Sequence, residues 1–576
     1  MKKRLLRISM TILILATVLL SACEPLGFPP AQILEPIEPS PLAQPTSALT
    51  EEAIALTPLP TETPTPTGPV VWINSDLPDD IKNLLASDLD LVLTDERTEA
   101  DFWIDFTAEQ ASGEWIYALA APFATLTDNV SSDQFAQFWA ENAEFAAGIL
   151  VMSQSTYAAM VSKFGEPQAS VKILPESEIL DYCWNSRDPL SYDWSSRENW
   201  AVIPFEMIQP RWKVISLDDN SPLRNNFDQE NYALSIAYGW SVNQERTVSE
   251  AALQAFQQVS ENLPHTNRDA DLITSVMLTG VTALTRATGK EMELYGVLSP
   301  AESIGELMRE ADIAHVSNEV PFARDCPPPQ WVQEVDLVFC SADKYIDLLR
   351  EIGTDVVELT GDHFGDWGPQ AMLHTLEMYQ NEGWPYYGGG KDIAEARSPI
   401  KLTHNNNKIA FIGCNGKSPG YATASEYNPG AFHCDMDYMV AEIQELVSQG
   451  YQVIATFQHW EIYDWQPNPQ MITDFQRVAD AGAVIVSGSQ AHQPQLAEFY
   501  DESFIHYGLG NLFFDQLGWF DDSDKAFLDR HVFYDGKYLG VELITVQFFN
   551  WSTPTLMTPE ARTTLLDRFF IASGWK

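Results

Sequence analysis

Leu359-Thr360-Gly361-Asp362-His363-Phe364-Gly365-Asp366-Trp367-Gly368 closes an apolar run over residues 352–359. Two later stretches repeat the arrangement. Gln458-His459-Trp460-Glu461 follows the apolar residues 453–457, and Gly488-Ser489-Gln490-Ala491-His492 follows 484–486. Short apolar runs of this kind read as strands buried on both faces. Imidazoles and carboxylates just past strand ends are where α/β sheets assemble metal and catalytic sites. The three stretches together predict an α/β fold with a chemical site along one edge.

The surrounding sequence fits that reading. Helical spacing of apolar residues is found over 304–311, 342–352, 438–448 and 469–481. Upstream, residues 70–73, 91–93 and 102–106 read as strands, with a helix over 79–89 between the first two. Residues 121–128 and 200–205 read as strand followed by loop. A polar stretch, 261–269, separates the two halves, and no internal repeat of fixed period is found.

Composition limits what the chain binds. Its 576 residues carry a net charge of -48. Such a surface repels nucleic acid, whose binding needs Lys and Arg to displace counterions. It suits a solvated extracytoplasmic surface. An anionic polymer would need a metal ion or a local basic patch to be held. Six cysteines are present. Export permits disulfides, and local spacing makes Cys326–Cys340 and Cys414–Cys434 the first pairs to consider, although spacing does not determine connectivity.

The N-terminus reads as an export signal. Lys2, Lys3, Arg4 and Arg7 precede an apolar core over 8–20, and Leu20-Ser21-Ala22-Cys23 closes it. The core is too short for a comfortable membrane span, so this is a signal peptide. It resembles a bacterial lipobox, which implies a mature start at a lipidated Cys23. Residues 24–69 are rich in Pro and Thr and read as an extended linker.

The first half, over roughly 69–250, resembles a type II periplasmic solute-binding protein. The second half carries a more specific resemblance. Its ordered pieces are Leu278-Thr279-Gly280-Val281-Thr282-Ala283-Leu284-Thr285-Arg286, then Ser317-Asn318-Glu319-Val320-Pro321, then the Asp-His-x-x-Asp-x-Gly segment at 362–368. Tyr387-Gly388-Gly389-Gly390 and Ile505-His506-Tyr507-Gly508-Leu509-Gly510-Asn511-Leu512-Phe513-Phe514-Asp515 complete the set. This order resembles the CapA-type proteins of poly-γ-glutamate capsule synthesis, a branch of the calcineurin-like metallophosphoesterases.

The resemblance implies five segments: a signal peptide over 1–23, a linker over 24–69, an α/β solute-binding-like domain over 70–255, a metallophosphoesterase-like domain over 270–560, and a C-terminal extension over 561–576. The fold class expected is α/β, with a four-layer α/β/β/α arrangement in the larger domain. The implied metal ligands are Glu319, Asp362, His459, Gln490 and His492, holding a divalent ion such as Mn, Zn, Fe or Mg, with the number of ions left open. His363 resembles the general acid, oriented by Asp366.

Some positions depart from the family pattern. Val281 stands where a metal-binding Asp is usual, and valine ligates nothing. Asp362 replaces an amide, Gln490 an imidazole, and Glu461 a glycine. Structural readings stay open beside the functional ones. The i to i+3 spacing of His363 and Asp366 also suits a helix cap, and His459 also suits a satisfied core histidine.

Two functions follow. One is an extracytoplasmic, lipid-anchored, metal-dependent hydrolase acting on a phosphoester or an anionic capsule polymer, with that polymer or its synthesis machinery as partner. The other is a non-catalytic binding or scaffold protein with a degenerate metal site.

Overall fold

In the computed structural model, the apolar runs at 453–457 and 484–486 form the parallel neighbours Gln452–Gln458 and Ala483–Gly488, while that at 352–359 forms Thr354–Glu358 in another sheet. The structure describes residues 68–575, apart from Leu89, 186–198, 334–336, Ser418 and Tyr421. The signal peptide, Cys23 and nearly all of the linker lie outside the described residues.

The first half builds one mixed sheet. Val70–Ile73 pairs in parallel with Val92–Leu93 and Phe102–Asp105. The helix Asp79–Ala86 connects them and buries Ile81 and Leu85. The expected helix ran to 89, but Ser87 ends it by bonding back to the Leu84 carbonyl. The long strand Gln110–Pro122 carries Ser235–Val242 on one side and Asn199–Pro204 on the other, both antiparallel. Trp115, Trp139 and Trp200 are buried in its core.

Among the described residues, the second half holds a two-stranded sheet, Gly389–Gly390 with Gly430–Ala431, and two large ones. One runs in the order Tyr386–Tyr387, Thr354–Glu358, Ile313–Asn318, Ile273–Thr279, Lys525–Tyr534, Lys537–Phe548, Pro554–Leu556. The other runs Ile400–His404, Asn407–Asn415, Gln452–Gln458, Ala483–Gly488, Ser503–His506, Ala497–Tyr500. Side chains alternate between faces along a strand, and the cores divide accordingly. Met277 joins a cluster with Met308, Leu348 and Met372, whereas its neighbours Val276 and Leu278 join Phe411, Ile454 and Ile485 of the other sheet. Ala410 and Ile412 pack with Met439, Ile443 and Phe475 from helices. Full burial of side chains of this size stabilises by about 1.5–3 kcal/mol each.

Those helices are Met436–Ser448 and Pro469–Asp480. Asp435 caps the first by accepting from the Tyr438 amide, and Asn468 caps the second through the Met471 amide. The expected helix over 304–311 is shorter, Gly305–Arg309, and that over 342–352 begins as a 3-10 turn, Asp343–Tyr345, before Ile346–Glu351. Both disulfides considered first are formed, Cys326–Cys340 and Cys414–Cys434.

The two halves belong to one compact unit from Pro66 onward. Lys213 and Arg562, far apart in sequence, both pair with Asp128, at 2.7 and 2.9 Å. The stretch expected as a C-terminal extension lies largely in a helix, Pro559–Ala572, which buries Leu565, Leu566, Phe569 and Phe570 in the cluster that also holds Phe123. Among the described residues, no helix is long and apolar enough to cross a membrane.

Candidate metal and acid–base site

The strands Ile313–Asn318, Thr354–Glu358, Asn407–Asn415, Gln452–Gln458 and Ala483–Gly488 all end on the side where the candidate residues sit. Glu319 follows the first directly. Asp362 and His363 follow the second, Lys417 the third, His459 and Glu461 the fourth, and Gln490 and His492 the fifth. The turn after Thr354–Glu358 passes against Glu319 because residue 361 is glycine. A Cβ there would lie 2.6 Å from the Glu319 carbonyl oxygen. The Asp362 amide then donates to Gln458 Oε1 at 2.7 Å, which fixes the turn to the neighbouring sheet.

Glu319, Asp362 and His363 converge. Each offers a ligand atom, and those atoms lie within 4.8 Å of one another. Gln490 Nε2 donates to Glu319 Oε1 at 3.5 Å, and its buried Oε1 has no hydrogen-bond partner. Burial, with Asp362 and Glu461 adding to it, pushes the Glu319 carboxyl up to about 8. Burial opposes ionisation of Asp362 as well, but Lys417 and His363 outweigh it and hold that carboxyl below its ordinary value.

His363 Nδ1 donates to Asp366 Oδ2 at 2.7 Å, which leaves Nε2 for the cluster. Burial lowers its affinity for a proton, yet the bond to Asp366 and the charges of Glu319 and Asp362 raise it to about 9. Asp366 is not a helix cap. The helix Gly368–Glu382 has Trp367 at its N-cap, and Asp366 accepts instead from the Phe339 amide at 2.7 Å.

Two further expected ligands are each tied down through one ring nitrogen. His459 Nε2 meets Asp474 Oδ2 at 3.0 Å, and its ring is packed on Gly416, where a Cβ would fall 2.5 Å from the imidazole. Asp474 takes Nε2, and the buried Nδ1 has no hydrogen-bond partner, so one ring nitrogen remains for a ligand role. His492 Nδ1 donates to Asn511 Oδ1 at 2.8 Å, while Nε2 faces Glu461 Oε1 at 3.5 Å. Burial holds both imidazoles below their ordinary value. Asn318 turns away too, donating to Val320 O and to the Tyr379 hydroxyl at 2.8 Å each.

One functional group was not among the candidates. Lys417 Nζ donates to Asp362 Oδ2 at 2.7 Å and lies 3.9 Å from Glu461 Oε2. The signal for it was present, since Asn415-Gly416-Lys417 directly follows an apolar strand, but Asn-Gly reads as a plain turn.

These positions test the fit of metal ions. A single ion fits the oxygens of Glu319 and Asp362, with the Gln490 amide beside Glu319 and its Oε1 unpartnered. A pair would lack one carboxylate ligand, because Val281 is fully buried in an apolar cluster with Ala283, Val320, Phe339 and Phe514.

Residues 256–516 match the family described as bacterial capsule synthesis protein PGA_cap. The chain is 22% identical to the capsule biosynthesis protein CapA of Bacillus anthracis, over 48% of this chain and 68% of that protein. It is 25% identical to the PGA biosynthesis protein CapA of Bacillus subtilis, over 47% and 71%. Among solved structures, it is similar to a 5'-nucleotidase precursor from Thermus thermophilus at 13% identity and a TM-score of 0.32, covering 52% of this chain and 58% of that one. The family match lies in the half that carries the site and overlaps most of the stretch expected from the ordered motifs.

Proposed function

We propose that this protein is a lipid-anchored protein of the cell envelope that hydrolyses an anionic capsule polymer at a site taking one divalent ion. The convergence of Glu319, Asp362 and His363 carries the hydrolytic reading. The capsule and poly-γ-glutamate names of its relatives support the polymer as substrate. The alternation of buried side chains between helix-facing and sheet-facing cores supports the four-layer arrangement of the larger half. The first half is read as a solute-binding-like lobe on its β-α-β start.

A divalent ion bound here would polarise the scissile bond and lower the pKa of a bound water. Glu319 and Asp362 offer carboxylate oxygens and Gln490 a neutral carbonyl oxygen, a set that suits Mg or Mn. His363, protonated at neutral pH, holds a proton close to both carboxylates, and Asp366 behind Nδ1 fixes the ring and the tautomer. Lys417 keeps Asp362 ionised.

The test is to incubate the protein with poly-γ-glutamate and follow chain length, with Mn2+ and with EDTA. Shortening that needs the ion is expected, and His363→Ala is expected to slow it by roughly 10²–10⁴-fold with folding retained. Intact polymer in every condition, together with no turnover of a chromogenic phosphodiester, rules the hydrolytic reading out. The scaffold reading is favoured by the buried Val281. It predicts that polymer is bound and left intact.

A further inference from the structure

The carboxylates of the site are bridged on one side by a cation that belongs to the chain. Lys417 Nζ sits between Asp362 and Glu461, at 2.7 and 3.9 Å, and Glu461 in turn faces His492. We propose that Lys417 is a built-in cation standing where a second metal ion would lie, so that the site takes one divalent ion at Glu319, Asp362 and Gln490. The inference rests on the one-ion site proposed above.

Four observations carry it. The neighbourhood that a second ion would need lacks a carboxylate at Val281, which is buried among apolar side chains. Val281 pairs with Asn511 across adjacent strands, and Asn511 is the residue that holds His492. The apolar cluster around Val281 fills that corner, with Phe339 against His363 and Phe514 against His492.

Charge balance agrees. Glu319, Asp362 and Glu461 bring three negative charges when ionised, and one divalent ion, the ammonium and protonated His363 already exceed them by one. A second divalent ion beside the ammonium would leave the site strongly positive in a buried setting, which is unfavourable.

The chain also places Lys417 deliberately. Asn415 Oδ1 accepts from the Lys417 amide at 2.9 Å, and Asn415 Nδ2 donates to the Thr360 carbonyl at 2.7 Å. The same asparagine therefore shapes the turn that carries Lys417 and ties it to the turn that carries Asp362. Gly416 lets that turn pass against the His459 ring, and the Cys414–Cys434 disulfide anchors the strand end.

Finally, the buried Oε1 of Gln490 lacks a partner, and the same amide reaches Glu319 through Nε2 at 3.5 Å. An oxygen left without a donor is what a cation locus looks like before the cation arrives. Lysine suits the other position because its ammonium is a compact point charge on a flexible stem.

The experiment is calorimetric titration of the full chain with Mn2+ at one fixed pH, for the wild type, Lys417→Met and Lys417→Gln. Melting of each in EDTA checks that it folds, and the two variants differ enough in polarity that one failure does not end the test. The wild type is expected to bind one Mn2+, and both variants to bind it roughly tenfold more tightly or better, since a positive charge a few ångströms away is gone. One Mn2+ bound with equal affinity by all three overturns the role of Lys417 and leaves the hydrolytic reading standing. Two Mn2+ in the wild type overturns the proposal as well. Binding by the variants alone overturns the proposal and the ion-dependent reading together, since the native site then takes no ion.

Discussion

Glu319 and Asp362 are neighbours because residue 361 has no side chain, and Asp362 stays ionised because Lys417 is beside it. Elsewhere single residues hold the opposite state. His315 is buried between the sheets, its ring stacked on Phe411 and its Nε2 at 2.9 Å from the Tyr387 hydroxyl. Burial pushes its pKa down to about 3. Glu358, whose Oε2 is 3.5 Å away, is pushed up by burial. A histidine depressed in the folded state is neutral there while the unfolded chain protonates near its ordinary value. Its contribution is complete above about pH 6.5 and is lost as pH falls toward the folded value, at about 1.4 kcal/mol per pH unit. Glu358 acts with the opposite sign and is common to wild type and variant. We therefore expect His315→Gln to flatten the loss of stability between pH 6.5 and 4, as read from denaturant midpoints. Parallel profiles would contradict the assignment.

Residues of the site were legible in unequal measure. Glu319, Asp362 and His363 could be found because each sits within a few residues of an apolar strand. The setting of His459 was not legible. Its partner, Asp474, lies on the helix that follows, and only the packing of that helix brings the two together. Lys417 was missed because a turn-forming Asn-Gly masks what the next side chain reaches.

At the level of elements, apolar period and capping residues carried most of the information. Residues 469–481 were readable as a helix, since Asn468 and Pro469 mark its start and four apolar positions keep one face buried. The short elements were less readable. The helix Gly305–Arg309 is a single turn held by the burial of Met308, and propensity over five residues is too weak to set its ends. The strands Val281–Thr282 and Asn511–Phe513 are two and three residues long, and their pairing, which decides where Val281 and His492 sit, depends on contacts between distant parts of the chain.

For the whole molecule, the α/β class could be expected from the alternation of apolar runs and helices, but the joining of the two halves could not. It depends on pairs such as Arg224 with Glu542 at 2.5 Å and on the burial of Phe569 and Phe570, none of which has a local signature. The start of the chain adds a separate expectation. If Cys23 carries the lipid that its surroundings imply, Cys23→Ser should move the protein from the membrane fraction to the soluble one or leave the precursor uncut. Unchanged fractionation would refute the anchor. The central claim is a site with one exchangeable ion beside a fixed cation. Anomalous diffraction from crystals grown with Mn2+ tests it most directly. The account predicts one peak within ligand distance of Glu319 and Asp362 and none between Lys417 and Glu461. Two peaks, or none at Glu319 and Asp362, would contradict it.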